Sequence, residues 1–181
     1  LLKAGYFDQR VHWCLCPLLN PTGFLRRTRE NADGLDLNRD YRDAQAGESQ
    51  AHIRWLEKQA RFDVTLCLHE DWEATGTYLY EQNPQNRPSL AEPITTAMGK
   101  VIAVDSAPSI DGHPAAGGII RPNFDPQTRP RWAESSYLRV HHTSLAYTIE
   151  TPSGLPLKQR IEAQQAAVKT AVAGVLLNSA V

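Results

Sequence analysis

Residues 11–19 (VHWCLCPLL) form a short, nearly continuous apolar run that stops at Asn20-Pro21-Thr22-Gly23, the pattern of a buried strand ending in a turn. Residues 24–43 are dense in Arg, Asn and Asp and almost empty of aliphatic side chains, which predicts a loop; Asn31, Asp33 and Gly34 in it are turn formers. In residues 48–61, Ile53, Leu56 and Ala60 recur at spacings of three and four, so a helix with one apolar stripe is expected. Residues 63–68 (DVTLCL) predict the next buried strand, and it runs directly into His69. Ser89 with Glu92 makes a capping box for a helix ending near Val104. Five prolines and three glycines in residues 108–131 predict a long surface loop, a kind that is often functional. Residues 147–149 predict a short strand ending at Glu150, and Leu157, Ile161, Val168, Val172 and Leu176 trace one face of a closing helix. Strand-like and helix-like segments alternate without an internal repeat, so the fold class is α/β: a three-layer, mostly parallel mixed sheet flanked by helices.

Size and charge narrow the function. At 181 residues and 41% hydrophobic, the chain predicts a single domain over residues 1–181. Its 19 Lys+Arg nearly cancel its 20 Asp+Glu and no block of like charge occurs, which argues against nucleic acid or an anionic membrane and for a neutral or small ligand. The longest apolar runs, such as residues 171–177, fall far short of the roughly 20 residues of a membrane-spanning helix. Cys14 and Cys16 sit two apart in a predicted strand, share a face and make a poor disulfide pair, so reduced thiols and a cytoplasmic setting are expected. The first residue is Leu1, so any signal peptide or missing piece of the domain is expected upstream of it.

In open α/β sheets ligands collect at the carboxyl ends of strands, and three segments deliver polar residues there. His69, flanked by Glu70 and Asp71 that would raise its basicity, suits either a cation or a solvated turn. Glu150 is either a general base with a raised pKa or a cap for the next segment. Arg26, Arg27, Arg29, Arg39 and Arg42 form a solvated face or, at Asn38-Arg39, a rigid fork beside an amide suited to gripping a carboxylate.

Taken in order, these pieces resemble the zinc carboxypeptidase family. NPTGF at residues 20–24 is similar to the family's NPDG turn, and LRRTR at 25–29 to the segment holding the arginine that polarises the scissile carbonyl, a role this implies for Arg26. GLDLNRDY at 34–41 is similar to the DLNRN signature that binds the substrate's terminal carboxylate, which implies Asn38 and Arg39. LCLHE at 66–70 resembles the strand with the third zinc ligand, His69, and TIETPSG at 148–154 the strand with the catalytic glutamate, Glu150.

The resemblance implies the phosphorylase/hydrolase-like carboxypeptidase fold, a zinc cofactor, and hydrolysis of a peptide or small amino-acid-derived substrate next to a free C-terminal carboxylate. The family's H-x-x-E motif, which supplies two zinc ligands, occurs nowhere in the chain, so those ligands are expected upstream of Leu1. Tyr137 lies in the region of the family's mobile-loop tyrosine, but its spacing to Glu150 does not match and no role is assigned. Two alternatives share these residues: a zinc deacylase of the succinylglutamate desuccinylase or aspartoacylase kind, and a metal-free carboxylate-binding module.

Overall fold

The computed structural model describes residues 7–123 and 125–178. In chain order these are α1 (Pro21–Arg26), a 3-10 turn (Leu37–Arg39), α2 (Gly47–Leu56), β1 (Thr65–Asp71), β2 (Tyr78–Gln82), α3 (Ala91–Met98), β3 (Ser109–Ile110), β4 (His113–Ala116), β5 (Ile119–Ile120), α4 (Glu134–His141), β6 (Ala146–Pro152) and α5 (Leu157–Asn178). The strands form one open sheet in the order β1-β6-β2-β5-β4-β3. The pairs β1/β6 and β2/β5 are parallel, and β2/β6, β4/β5 and β3/β4 antiparallel. The expected α/β architecture with a mixed sheet is present, with more antiparallel pairing than the sequence suggested.

Alternation along the strands divides the core. On one face Leu79, Tyr147 and Ile149 pack with Ile94 and Met98 of α3 and Ala167 and Ala171 of α5. The small residues of α5 let it lie close to α3. On the other face Cys67 packs with Leu56 of α2, Tyr41, and Tyr137 and Leu138 of α4. Helices thus cover both faces, and side chains two apart on β1 and β6 meet the same layer. Tyr137 is a core residue of α4, its ring tilted against that of His141 with centroids 4.5 Å apart, rather than part of a mobile loop.

Two segments differ from expectation. Residues 11–19 form no strand: Leu15 and Leu18 are each 50% exposed, and Cys14 and Cys16 turn to Gln59 and His52 instead. A strand needs a ladder partner. Pro17 removes one donor, and the edge strand β1 pairs among the described residues only with β6. All three cysteines are free thiols.

The second difference is in residues 108–131, which are not a plain loop. They hold β3, β4 and β5, which extend the sheet. The turn between β3 and β4 is Asp111-Gly112, both at positive φ (50° and 71°), the dipeptide that two-residue hairpins favour. Gly118 (φ 72°) lets the next turn pass against Val104, where a Cβ would come within 2.4 Å of a Val104 methyl.

Candidate active site

Parallel pairing aligns His69 with Glu150, and antiparallel pairing aligns Tyr78 with Glu150, so β1, β6 and β2 bring three polar side chains to one level of the sheet. Neighbouring strands lie about 4.8 Å apart, which makes His69 and Glu150 direct neighbours. All three share the face of Cys67, opposite α3 and α5, by period-two alternation.

Burial, then Asp71 and Asp111, push the Glu150 carboxyl up to about 8, with Arg29 pulling the other way. Both aspartates are held by tyrosines of β2: Tyr78 OH donates to Asp71 Oδ2 at 2.9 Å, and Tyr80 OH donates to Asp111. The acidic pair is therefore positioned, not loose.

His69 titrates below the ordinary histidine value, through burial and the nearby guanidiniums of Arg29 and Arg39. This reverses the expectation that Glu70 and Asp71 would make it more basic. The strand alternation sends Glu70 to the α5 face, where it pairs with Arg160, and Asp71 is engaged by Tyr78. A histidine kept neutral presents a ring nitrogen as an acceptor or ligand.

The arginine-rich loop is ordered by its own carboxylates. Asp36 caps the 3-10 turn through Asn38 N at 2.9 Å and holds Arg29 Nε at 2.7 Å. The Arg29 guanidinium lowers both His69 and Glu150. Arg26 is the last residue of α1, exposed, and donates to Ala32 O at 3.4 Å; the left-handed Arg27 (φ 57°) turns the chain between the two arginines. The one sequence signal for Arg29 was an arginine and an aspartate of opposite charge within the same turn-rich loop.

Asn38 Oδ1 accepts from Glu134 N at 2.9 Å, which leaves its amide hydrogens directed elsewhere, and Arg39 Nη1 donates to Asn38 O at 2.7 Å. Behind them lies a polar network that the sequence did not suggest. Tyr41 OH meets His52 Nδ1 at 2.7 Å, Cys16 Sγ meets His52 Nε2 at 3.3 Å, and Glu134 Oε1 lies 3.8 Å from His52 Nδ1. Burial raises the Glu134 carboxyl to about 7, opposed by a hydrogen bond from Cys67, while burial lowers His52. Both groups are driven towards neutral forms, so their contact is not an ion pair.

Sequence and fold comparisons bear on this arrangement. The chain is 37% identical over 76 residues to carboxypeptidase SOL1 of Arabidopsis thaliana, a match covering 36% of this chain and 15% of that protein. A candidate metallopeptidase of Shewanella amazonensis superposes with a TM-score of 0.73 at 29% identity, over 88% of this chain and 62% of the other. One of Shewanella denitrificans does so with the same score and identity over 59% of its chain. The chain is metallocarboxypeptidase-like. It spans less than two thirds of the solved relatives, and no protein-family model matches it.

The metallopeptidase relatives suggest a metal, and the sequence resemblance implies zinc. The described residues do not fit that ion by themselves. A catalytic zinc takes three protein ligands and a water, whereas among the described residues no group of three or more His, Cys, Asp or Glu side chains is placed to hold a metal. Also among them, no helix is long and apolar enough to cross a membrane.

Proposed function

We propose that this chain carries the substrate-binding and general-base half of a metallocarboxypeptidase that hydrolyses the peptide bond next to a free C-terminal carboxylate. The observation that carries the reading is the pairing of His69 with Glu150 on adjacent parallel strands, with the Arg29 guanidinium acting on both and that of Arg39 on His69. The amide hydrogens of Asn38 and the guanidinium of Arg39 bind the terminal carboxylate. That anchor fixes the scissile bond within reach of Glu150. Glu150 takes a proton from the attacking water as the C–O bond forms and passes it to the amine nitrogen as the C–N bond breaks. Arg29, rather than Arg26, donates to the oxyanion that develops on the carbonyl. His69 would supply one nitrogen to a metal if further ligands came from outside the described residues.

The test uses the complete gene product with a short N-acylated peptide bearing a free C-terminus, beside an N-acyl amino acid. Release of the C-terminal residue from the peptide supports the reading, and cleavage of the N-acyl amino acid alone replaces it with a deacylase. Zinc content before and after His69→Ala reports the metal separately.

The two arginines give a sharper comparison. Arg29→Ala is expected to lower kcat/KM by about 10²- to 10³-fold, the loss typical of one oxyanion donor. Arg26→Ala, on an exposed helix end, is expected to leave kcat/KM within about twofold. Equal losses in the two variants would remove the distinction.

A further inference from the structure

A cavity of about 500 Å³ opens at the other end of the sheet, lined in part by Glu81, Gln82, Arg87, Arg121, Asn123 and Arg139. Gln82 pairs with Ala146, four positions along the ladder from the Tyr78/Glu150 pair, so the cavity begins about 13 Å along the strands from Glu150. None of the residues placed in the candidate active site lines it. Its size falls within the roughly 300–1,000 Å³ of small-ligand sites.

The lining is charged and held in place. Glu81, almost wholly buried, accepts from Arg121 Nε at 2.7 Å, Ser89 Oγ at 2.6 Å and Tyr147 OH at 2.9 Å. The second arm of Arg121 meets Glu92 at 2.7 Å. Glu81 is the one carboxylate among the described lining residues, against the three arginines Arg87, Arg121 and Arg139, so the formal charge of the lining is positive. Arg87 is fixed at its backbone by Asn83, which accepts from Arg87 N at 2.9 Å and donates to Arg87 O at 2.8 Å, while its guanidinium meets the neutral Ser144 hydroxyl at 3.2 Å. Burial lowers the basicity of Arg139, the mark of a guanidinium partly withdrawn from water. Gln82 Oε1 is buried and has no donor among the described residues.

We propose that this cavity is a second binding site, for a small oxyanion that also carries a hydroxyl or amino donor. The guanidinium of Arg87 takes the charged group, and Gln82 Oε1 takes the ligand's donor. Because the backbone around Arg87 is already fixed, little ordering opposes binding. The oxyanion is a carboxylate or a phosphate, and the two are separated by probe.

The experiment is isothermal titration of the complete gene product with malate and, separately, with glycerol 3-phosphate, at ionic strength held constant with sodium chloride. Saturable binding of at least one probe at millimolar or lower concentration is expected, weakened about tenfold or more by Arg87→Gln, a change at an exposed side chain that leaves the core untouched. Binding of malate alone identifies a carboxylate ligand, and of glycerol 3-phosphate alone a phosphate ligand. Arg39→Gln is the control, because the carboxylate anchor proposed for the active site also attracts anions. Binding that survives Arg39→Gln and falls with Arg87→Gln supports the second site, whatever becomes of the peptidase reading. Binding lost with Arg39→Gln and unchanged by Arg87→Gln, or no saturable binding of either probe, overturns it.

Discussion

Glu150→Gln is expected to cut turnover of a peptide with a free C-terminus by about 10²- to 10⁴-fold, the range for a positioned general base, while leaving binding of the substrate's carboxylate nearly unchanged. Gln keeps the shape of the side chain and removes its capacity to take a proton. Asn38 and Arg39, which hold the carboxylate in the proposed reading, come from a different loop and are not disturbed. Initial rates for turnover, and inhibition by a C-terminal amino acid product for binding, separate the two effects. A variant that loses affinity in proportion to rate would assign Glu150 to binding instead.

The same carboxyl is held at about 8 in this chain by burial and by Asp71 and Asp111. Removing one negative neighbour should lower it, so Asp111→Asn is expected to move the Glu150 titration to lower pH, followed by carboxyl ¹³C shifts in metal-free protein. An unmoved or raised midpoint would show that Asp111 does not act on Glu150.

The second large effect concerns stability. Glu134 is raised by burial to about 7 from the ordinary glutamate value of 4.5. A carboxyl whose folded pKa lies above its unfolded one contributes stability that is fully present below about 4.5 and is lost as pH rises through about 7. Above that window, folding must hold a charge that the network around His52 and Cys67 does not compensate. Glu134→Gln removes the charge and retains an oxygen that accepts from Cys67. The variant is therefore expected to match the parent near pH 4 and to exceed it by about 3 kcal/mol at pH 8. Urea unfolding at the two pH values measures this. Glu150 titrates with the same sign over a wider range, so the difference between variant and parent isolates Glu134. A variant equally or less stable at pH 8 would mean that the ionised group finds compensation within the fold.

Legibility of the chain followed the range of the physics involved. β1 and β6 were readable because each is a local pattern, an apolar run ending in His69 and another ending in Glu150; α5 was readable as a helix, but of its expected stripe Leu157 and Ile161 are 60% and 46% exposed, and the buried face is Ala163, Ala167, Val168, Ala171 and Val172. Strand β2 was missed, since Tyr78–Gln82 mixes aromatic and polar residues and buries Glu81, a position that depends on Arg121 some 40 residues away. The hairpins between 109 and 120 were hidden by prolines, although Asp111-Gly112 carried the turn signal. Residues 11–19 erred the other way. Their apolar character suggested a strand, but hydrogen-bond pairing, not hydropathy, makes one.

By itself, then, the sequence determined an α/β chain with His69 and Glu150 at strand ends and Asn38-Arg39 in a polar loop, because side-chain period and turn chemistry act over a few residues. The tertiary structure adds that Asp36 holds Arg29 Nε at 2.7 Å and that the left-handed Arg27 turns the chain between Arg26 and Arg29, which no local pattern announces. It also decided the protonation of the site. Whether Glu150 and Glu134 are ionised near neutrality depends on burial and, for Glu150, on charges brought in from β1, the β3–β4 turn and the Arg29 loop, and those distances are set by sheet order and packing rather than by neighbours in the chain.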